Sequence, residues 1–168
     1  MTQRLYDFLA QDHNRLDQLL LEATAQAGAI NRDPYDKFRK GLLRHIGIEE
    51  RIVMPAIARL QNGKQAEVAE RLRLDHGAIA ALLVPPPSAT IIATLRSILE
   101  KHNALEEEEG GLYLLLNRLA SNEENGLLEK MSNTPEVPVM PYNEKPSVLE
   151  ATQRALKRAG YEFLNVSG

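Results

Sequence analysis

His45-Ile46-Gly47-Ile48-Glu49-Glu50 and, further along the chain, His102-Asn103-Ala104-Leu105-Glu106-Glu107 share one local pattern: a histidine followed by glutamate four and five residues later. Residues four apart on an α-helix are neighbours on one face, so each stretch, if helical, sets an imidazole beside a carboxylate. The flanking residues predict that both are helical. Phe38, Leu42, Ile52, Ala56 and Leu60 continue the phase of His45 and Glu49, and Leu95, Ile98, Glu109 and Tyr113 continue that of His102 and Glu106.

Working outward, Leu5, Leu9, His13, Leu16, Leu20, Ala23 and Ala27 predict an earlier helix with Thr2 as its N-cap. The helix of His45 starts with Asp33 as N-cap and Pro34 at the first helical position, runs to about Gln61 and stops at Gly63, with a late kink expected at Pro55. Ala69, Leu72, His76, Ile79 and Leu83 mark a third helix over 65–83, ended by Pro85-Pro86-Pro87. Ser88 caps a fourth over 89–119, which Gly110-Gly111 weakens locally. Four helices joined by short turns predict an all-α fold, an antiparallel up-and-down four-helix bundle over residues 1–121.

Residues 122–168 read as an extension. Pro135, Pro138, Pro141 and Pro146 make 131–146 an extended strap, and a capping box of Ser147 and Glu150 opens a short fifth helix over 148–159, closed by Gly160. This segment is expected either to dock on the bundle's own surface or to serve as a lid or a partner-binding handle.

A chain of 168 residues, 43% hydrophobic and 26% charged, suits one domain that buries its core without staples. It has no cysteine, which excludes disulfides, iron–sulfur clusters, thiolate zinc sites and thiol catalysis, so any metal must sit on nitrogen and oxygen. A net charge of −3 with scattered basic residues leaves no footprint for nucleic acid or anionic lipid. Residues 1–10 hold neither a signal-peptide core nor an apolar run of membrane length, and the expected location is the cytoplasm.

All four histidines, His13, His45, His76 and His102, fall on predicted inward faces, one per helix, and Glu49 and Glu106 join them. Two glutamates converging in an apolar interior repel each other and are costly to bury unless a positive partner compensates them. A metal pair resolves the conflict: with both carboxylates bridging, each ion receives two imidazole nitrogens and two oxygens and keeps positions open for water, hydroxide or dioxygen. That donor set favours iron and is compatible with manganese, whereas structural zinc closes its coordination shell.

Taken together, Asp12-His13, residues 45–55 with their double glutamate and Pro55, Asp75-His76 and residues 102–107 resemble the hemerythrin-like, or HHE cation-binding, domain over residues 2–120. The resemblance implies a four-helix bundle with a di-iron centre in which His13 and His45 bind one iron, His76 and His102 the other, and Glu49 and Glu106 bridge them. Oxygen-carrying members have a further histidine one turn before the helix-three ligand. Leu72 stands there in this chain, which argues against reversible oxygen carriage and for reaction or sensing. The expected role is binding dioxygen or a related small oxidant for sensing, detoxification or iron handling. The alternatives are a di-iron oxidoreductase acting on peroxide or nitric oxide, and a metal-free helical interaction module.

The neighbours of these residues remain open at this level. Glu50 and Glu107 lie about 140° round the helix from their histidines and are expected in solvent or surface ion pairs, with orientation of a ligand imidazole as the alternative. Asp12 and Asp75 read equally as solvent-facing or as orienting a histidine. Core packing is the expected task of Tyr6 and Tyr113.

Overall fold

The computed structural model describes residues 2–166, which are helical and irregular with no β-strand among them. The helices are α1 (Arg4–Ala23), α2 (Arg32–Ile48), α3 (Met54–Leu60), α4 (Ala69–Leu82), α5 (Ala89–Glu107), α6 (Leu112–Leu119), α7 (Glu124–Ser132) and α8 (Pro146–Arg158). A π-helical segment, Glu49–Val53, links α2 to α3. The all-α class is therefore as predicted. The chain divides into two compact units, Met1–Ala69 with Ala104–Pro138, and Glu70–Asn103 with Val139–Gly168. Residues 122–138 thus belong to the first and the later part of the predicted extension to the second.

In the first unit, α1 and α2 form an antiparallel pair whose turn is closed by the Asn31 amide on the Ala23 carbonyl, 2.8 Å. The predicted inward stripe of α1 is buried from Leu5 to Ala23; beyond it the chain turns, and Ala27 is exposed. The helix starts one residue later than a Thr2 cap implies: Gln3 occupies that position without a side-chain hydrogen bond. On α2 the cap is Asn31, whose side chain accepts from the Asp33 amide, so Asp33 is a first-turn residue. Gly41 lets the two helices approach, since a Cβ there would lie 2.7 Å from Leu16 Cδ2.

Pro55 acts one turn earlier than its position suggests. Its ring crowds the carbonyl four residues back and it donates no hydrogen bond, and the chain meets this with the wide π turn that precedes it. The extra residue in that turn shifts the phase of everything after Glu49. Val53 and Ile57 are fully buried, while Ile52 and Leu60, predicted inside, are half-buried. A left-handed pair, Asn62 and Gly63, then ends α3.

Helix α7 has no counterpart in the predicted elements. It is held by exposed pairs, Arg4 with Glu124 and Arg59 with Glu123, and by Arg44, whose guanidinium donates to the Thr134 and Met131 carbonyls at its C-terminal end.

The second unit is built on the antiparallel pair α4 and α5, whose predicted faces are buried through Leu72, Ile79, Leu82, Leu95 and Ile98. Ser88 caps α5 as predicted, accepting from the Ile91 amide. The later part of the strap and α8 lie on this pair: Asn143 donates to the Val84 carbonyl, Thr152 to Ala81, and the Leu164 amide to the Thr94 hydroxyl. The predicted capping box is not formed. Helix α8 starts instead with Pro146 at its first position, and it ends in a Schellman turn at Gly160 in which the Tyr161 amide returns to the Leu156 carbonyl, 2.8 Å.

Candidate metal centre

All six residues singled out as ligands, His13, His45, Glu49, His76, His102 and Glu106, are buried, with side chains almost wholly removed from solvent. In the first unit, α1 supplies His13, α2 His45, the π segment Glu49 and the end of α5 Glu106. One ligand atom from each lies within 4.8 Å of the others. His45 Nε2 is 3.0 Å from Glu49 Oε1, and His13 Nε2 is 3.1 Å from Glu106 Oε2. Glu49 opens the π segment, yet its amide still bonds the His45 carbonyl, so its carboxylate lies beside the imidazole one ordinary helical turn back.

The outer nitrogens of both rings are held. His13 Nδ1 donates to Glu107 Oε1 at 2.5 Å and His45 Nδ1 to Asp12 Oδ2 at 2.8 Å. An imidazole with its proton fixed on Nδ1 presents the Nε2 lone pair, the form a metal requires. The second unit repeats the device at one ring: His76 and His102 meet edge-on with ring centroids 4.8 Å apart, and His102 Nδ1 donates to Asp75 Oδ2 at 3.1 Å. Asp75 is fully buried and also accepts from Arg71 at 2.5 Å and from the Tyr161 hydroxyl at 3.0 Å.

Three carboxylates that the sequence left open thus take the orienting role. Asp12 and Asp75 each precede one histidine and grip the histidine of the partner helix, and Glu107, expected in solvent, grips His13. Only Glu50 is exposed as predicted. The angular step of about 100° between adjacent residues points a side chain away from its own helix's inward stripe but toward a neighbouring helix, which single-helix phase does not distinguish from water. The repeated Asp-His dipeptide was the available signal.

Charge follows the same contacts. Burial works to lower the pKa of His45, but the Glu49 charge and the hydrogen bonds to Asp12 and Glu49 outweigh it and lift the group to about 10. Burial likewise raises Asp12 and Asp75, yet the bonds from His45 and Arg15, and from His102 and Arg71, hold both carboxyls below their ordinary value.

Tyr113, assigned to core packing, does more. Its hydroxyl sits in the middle of the first-unit cluster, 2.5 Å from Glu49 Oε1, 3.1 Å from Glu106 Oε2, 2.9 Å from His13 Nε2 and 3.0 Å from His45 Nε2. Burial, then the charges of Glu106 and Glu49, push its pKa well above that of free tyrosine. Tyr6 packs edge-on against it, centroids 6.1 Å apart, and donates to the Glu107 carbonyl.

Two oriented imidazoles and two carboxylates on one point form a nitrogen and oxygen donor set that fits a first-row transition metal ion. The residues that carry this set lie within a wider match, residues 4–110, to the hemerythrin HHE cation binding domain family. The chain belongs to the hemerythrin HHE family. No curated protein and no solved structure matches the chain significantly. The family match covers both histidine–glutamate motifs and both Asp-His dipeptides, and it ends before Tyr113, α7 and α8. This chain is thus a hemerythrin HHE cation-binding domain with buried clusters of histidine and glutamate. None of its helices, among the described residues, is long and apolar enough to cross a membrane.

Proposed function

We propose that this hemerythrin HHE protein is a non-haem di-iron protein that binds dioxygen or a related small oxidant for sensing, detoxification or iron handling. Family membership supports cation binding; His13 and His45, with Glu49 and Glu106, are the ligands proposed for the first ion, and His76 and His102 those for the second. The observation that carries the reading is the convergence of His13, His45, Glu49 and Glu106 with each imidazole's outer nitrogen tied to a carboxylate. Iron in such a site supplies redox chemistry toward oxygen species. The chain's own groups do the rest: Asp12, Glu107 and Asp75 orient imidazoles, and the buried walls keep bulk water from the ligands. Leu72, fully buried where the oxygen carriers place a histidine, supports reaction or sensing over carriage.

The test is elemental analysis of the purified protein with its absorption spectrum. Two irons per chain and an oxo-bridged di-ferric spectrum are expected; manganese at the same stoichiometry would change the metal and keep the site, and a chain that refuses both ions would leave a metal-free helical module. Turnover of peroxide or nitric oxide by the iron-loaded protein separates an oxidoreductase from a sensor.

A further inference from the structure

We infer that the phenolic oxygen of Tyr113 is itself a metal ligand, a donor to the ion held by His13, His45, Glu49 and Glu106. This rests on the metal reading above and adds a residue that lies outside the family match.

The Tyr113 oxygen stands 2.5 Å from Glu49 Oε1 and 3.1 Å from Glu106 Oε2, and a phenol has one proton, so it donates to one of these carboxylates and meets the other lone pair to lone pair. The Nε2 atoms of His13 and His45 stand 2.9 and 3.0 Å from the same oxygen, with the outer nitrogen of each ring tied to Glu107 and Asp12. Four donor atoms that lie within 4.8 Å of one another thus all stand 2.5–3.1 Å from the phenolic oxygen, spacings that neighbouring atoms of one coordination shell keep. An ordinary buried tyrosine finds one hydrogen-bond partner and stops.

The backbone is built to place this residue. Seven residues of unbroken helix would carry Tyr113 about 10 Å along the axis from Glu106. The chain instead breaks: α5 ends at Glu107, Gly110 takes a left-handed φ of 83°, and α6 begins at Leu112. Gly111 is obligatory in that break, since a Cβ would lie 2.7 Å from the Glu106 and Glu108 carbonyl oxygens and 2.8 Å from that of Leu105. The phenol thereby reaches the Glu106 carboxylate, with Tyr6 edge-on against its ring and no exposure to solvent.

Phenolate is a hard anionic oxygen donor and suits ferric iron. As the oxygen–metal bond forms, the O–H bond breaks and the proton leaves to solvent; no electron moves in that step.

The experiment loads wild type, Tyr113→Phe and Tyr6→Phe with ferrous iron, oxidises them with ferricyanide, and measures iron per chain, visible absorption and resonance Raman scattering. Oxidised wild type and Tyr6→Phe are expected to show a phenolate-to-iron charge-transfer band with enhanced tyrosine ring modes. Tyr113→Phe is expected to lose the band, and to lose more iron affinity than the roughly 10–100-fold that removing an orienting partner costs. If Tyr113→Phe does not fold, the charge-transfer band of wild type and the shift of its enhanced ring modes on ring-deuteration of tyrosine decide the matter. An iron-loaded wild type without the band, a band that survives in Tyr113→Phe, or tighter iron binding in that variant overturns the ligation. Wild type that takes up no iron fails at the metal reading itself, and the tyrosine ligand falls with it.

Discussion

Replacing Asp75 with alanine tests whether a buried carboxylate, and not apolar packing alone, fixes the second histidine pair. Asp75 accepts from three donors, and their exposure sets the cost of losing each. Arg71, about 40% exposed in its side chain, is rehydrated and gives up roughly 0–1 kcal/mol. Tyr161, half-buried, gives up about 1 kcal/mol. His102, with 4% of its side chain exposed, has no water to turn to, and its orphaned Nδ1–H costs about 1–3 kcal/mol. A total near 3 kcal/mol is expected, a fall in melting temperature of about 6–12 °C for a chain of this size. The measurement is thermal and urea unfolding of the metal-free protein at pH 7, with Asp75→Asn expected to lose less because its amide oxygen still accepts from one side. Because the folded Asp75 pKa is depressed, its stabilisation is complete above the unfolded value of about 3.9 and disappears as pH falls through the lower folded value. Wild type and Asp75→Ala should therefore converge in acid. A stability within about 0.5 kcal/mol of wild type at pH 7 would refute the reasoning, since only surface changes have effects that small.

Glu107→Ala and Asp12→Ala should each weaken metal binding roughly 10–100-fold by freeing an imidazole, whereas Glu49→Ala and Glu106→Ala should lose the metal altogether; titration followed by elemental analysis separates the two classes. Gly111→Ala should cost about 1–3 kcal/mol in urea unfolding, because its Cβ meets three backbone carbonyls that have no room to yield. His45 gains stability from a raised pKa, so in the metal-free protein that contribution is full below about pH 6.5 and is lost as pH rises to about 10; His45→Gln should flatten that limb of the stability profile.

Sequence alone determined most of the helices and singled out the six buried residues proposed as ligands. Period-3.6 stripes, the prolines at 85–87 and the serine at 88 set α1, α2, α4 and α5 to within a few residues, and histidine with glutamate four on picked out the buried groups, because helical phase is a local property that spacing records. What lay beyond one helix's own phase was left to tertiary structure. The π turn ahead of Pro55 slid the buried face of α3 by a residue, and competing side chains gave the caps to Asn31 and Pro146. Asp12, Asp75 and Glu107 pointed off their own stripes and found histidines on neighbouring helices, and Tyr113 reached the cluster only because two glycines broke the helix that its spacing had seemed to continue. Orientation of a metal ligand is a contact between helices, and the chain fixes it only once they pack.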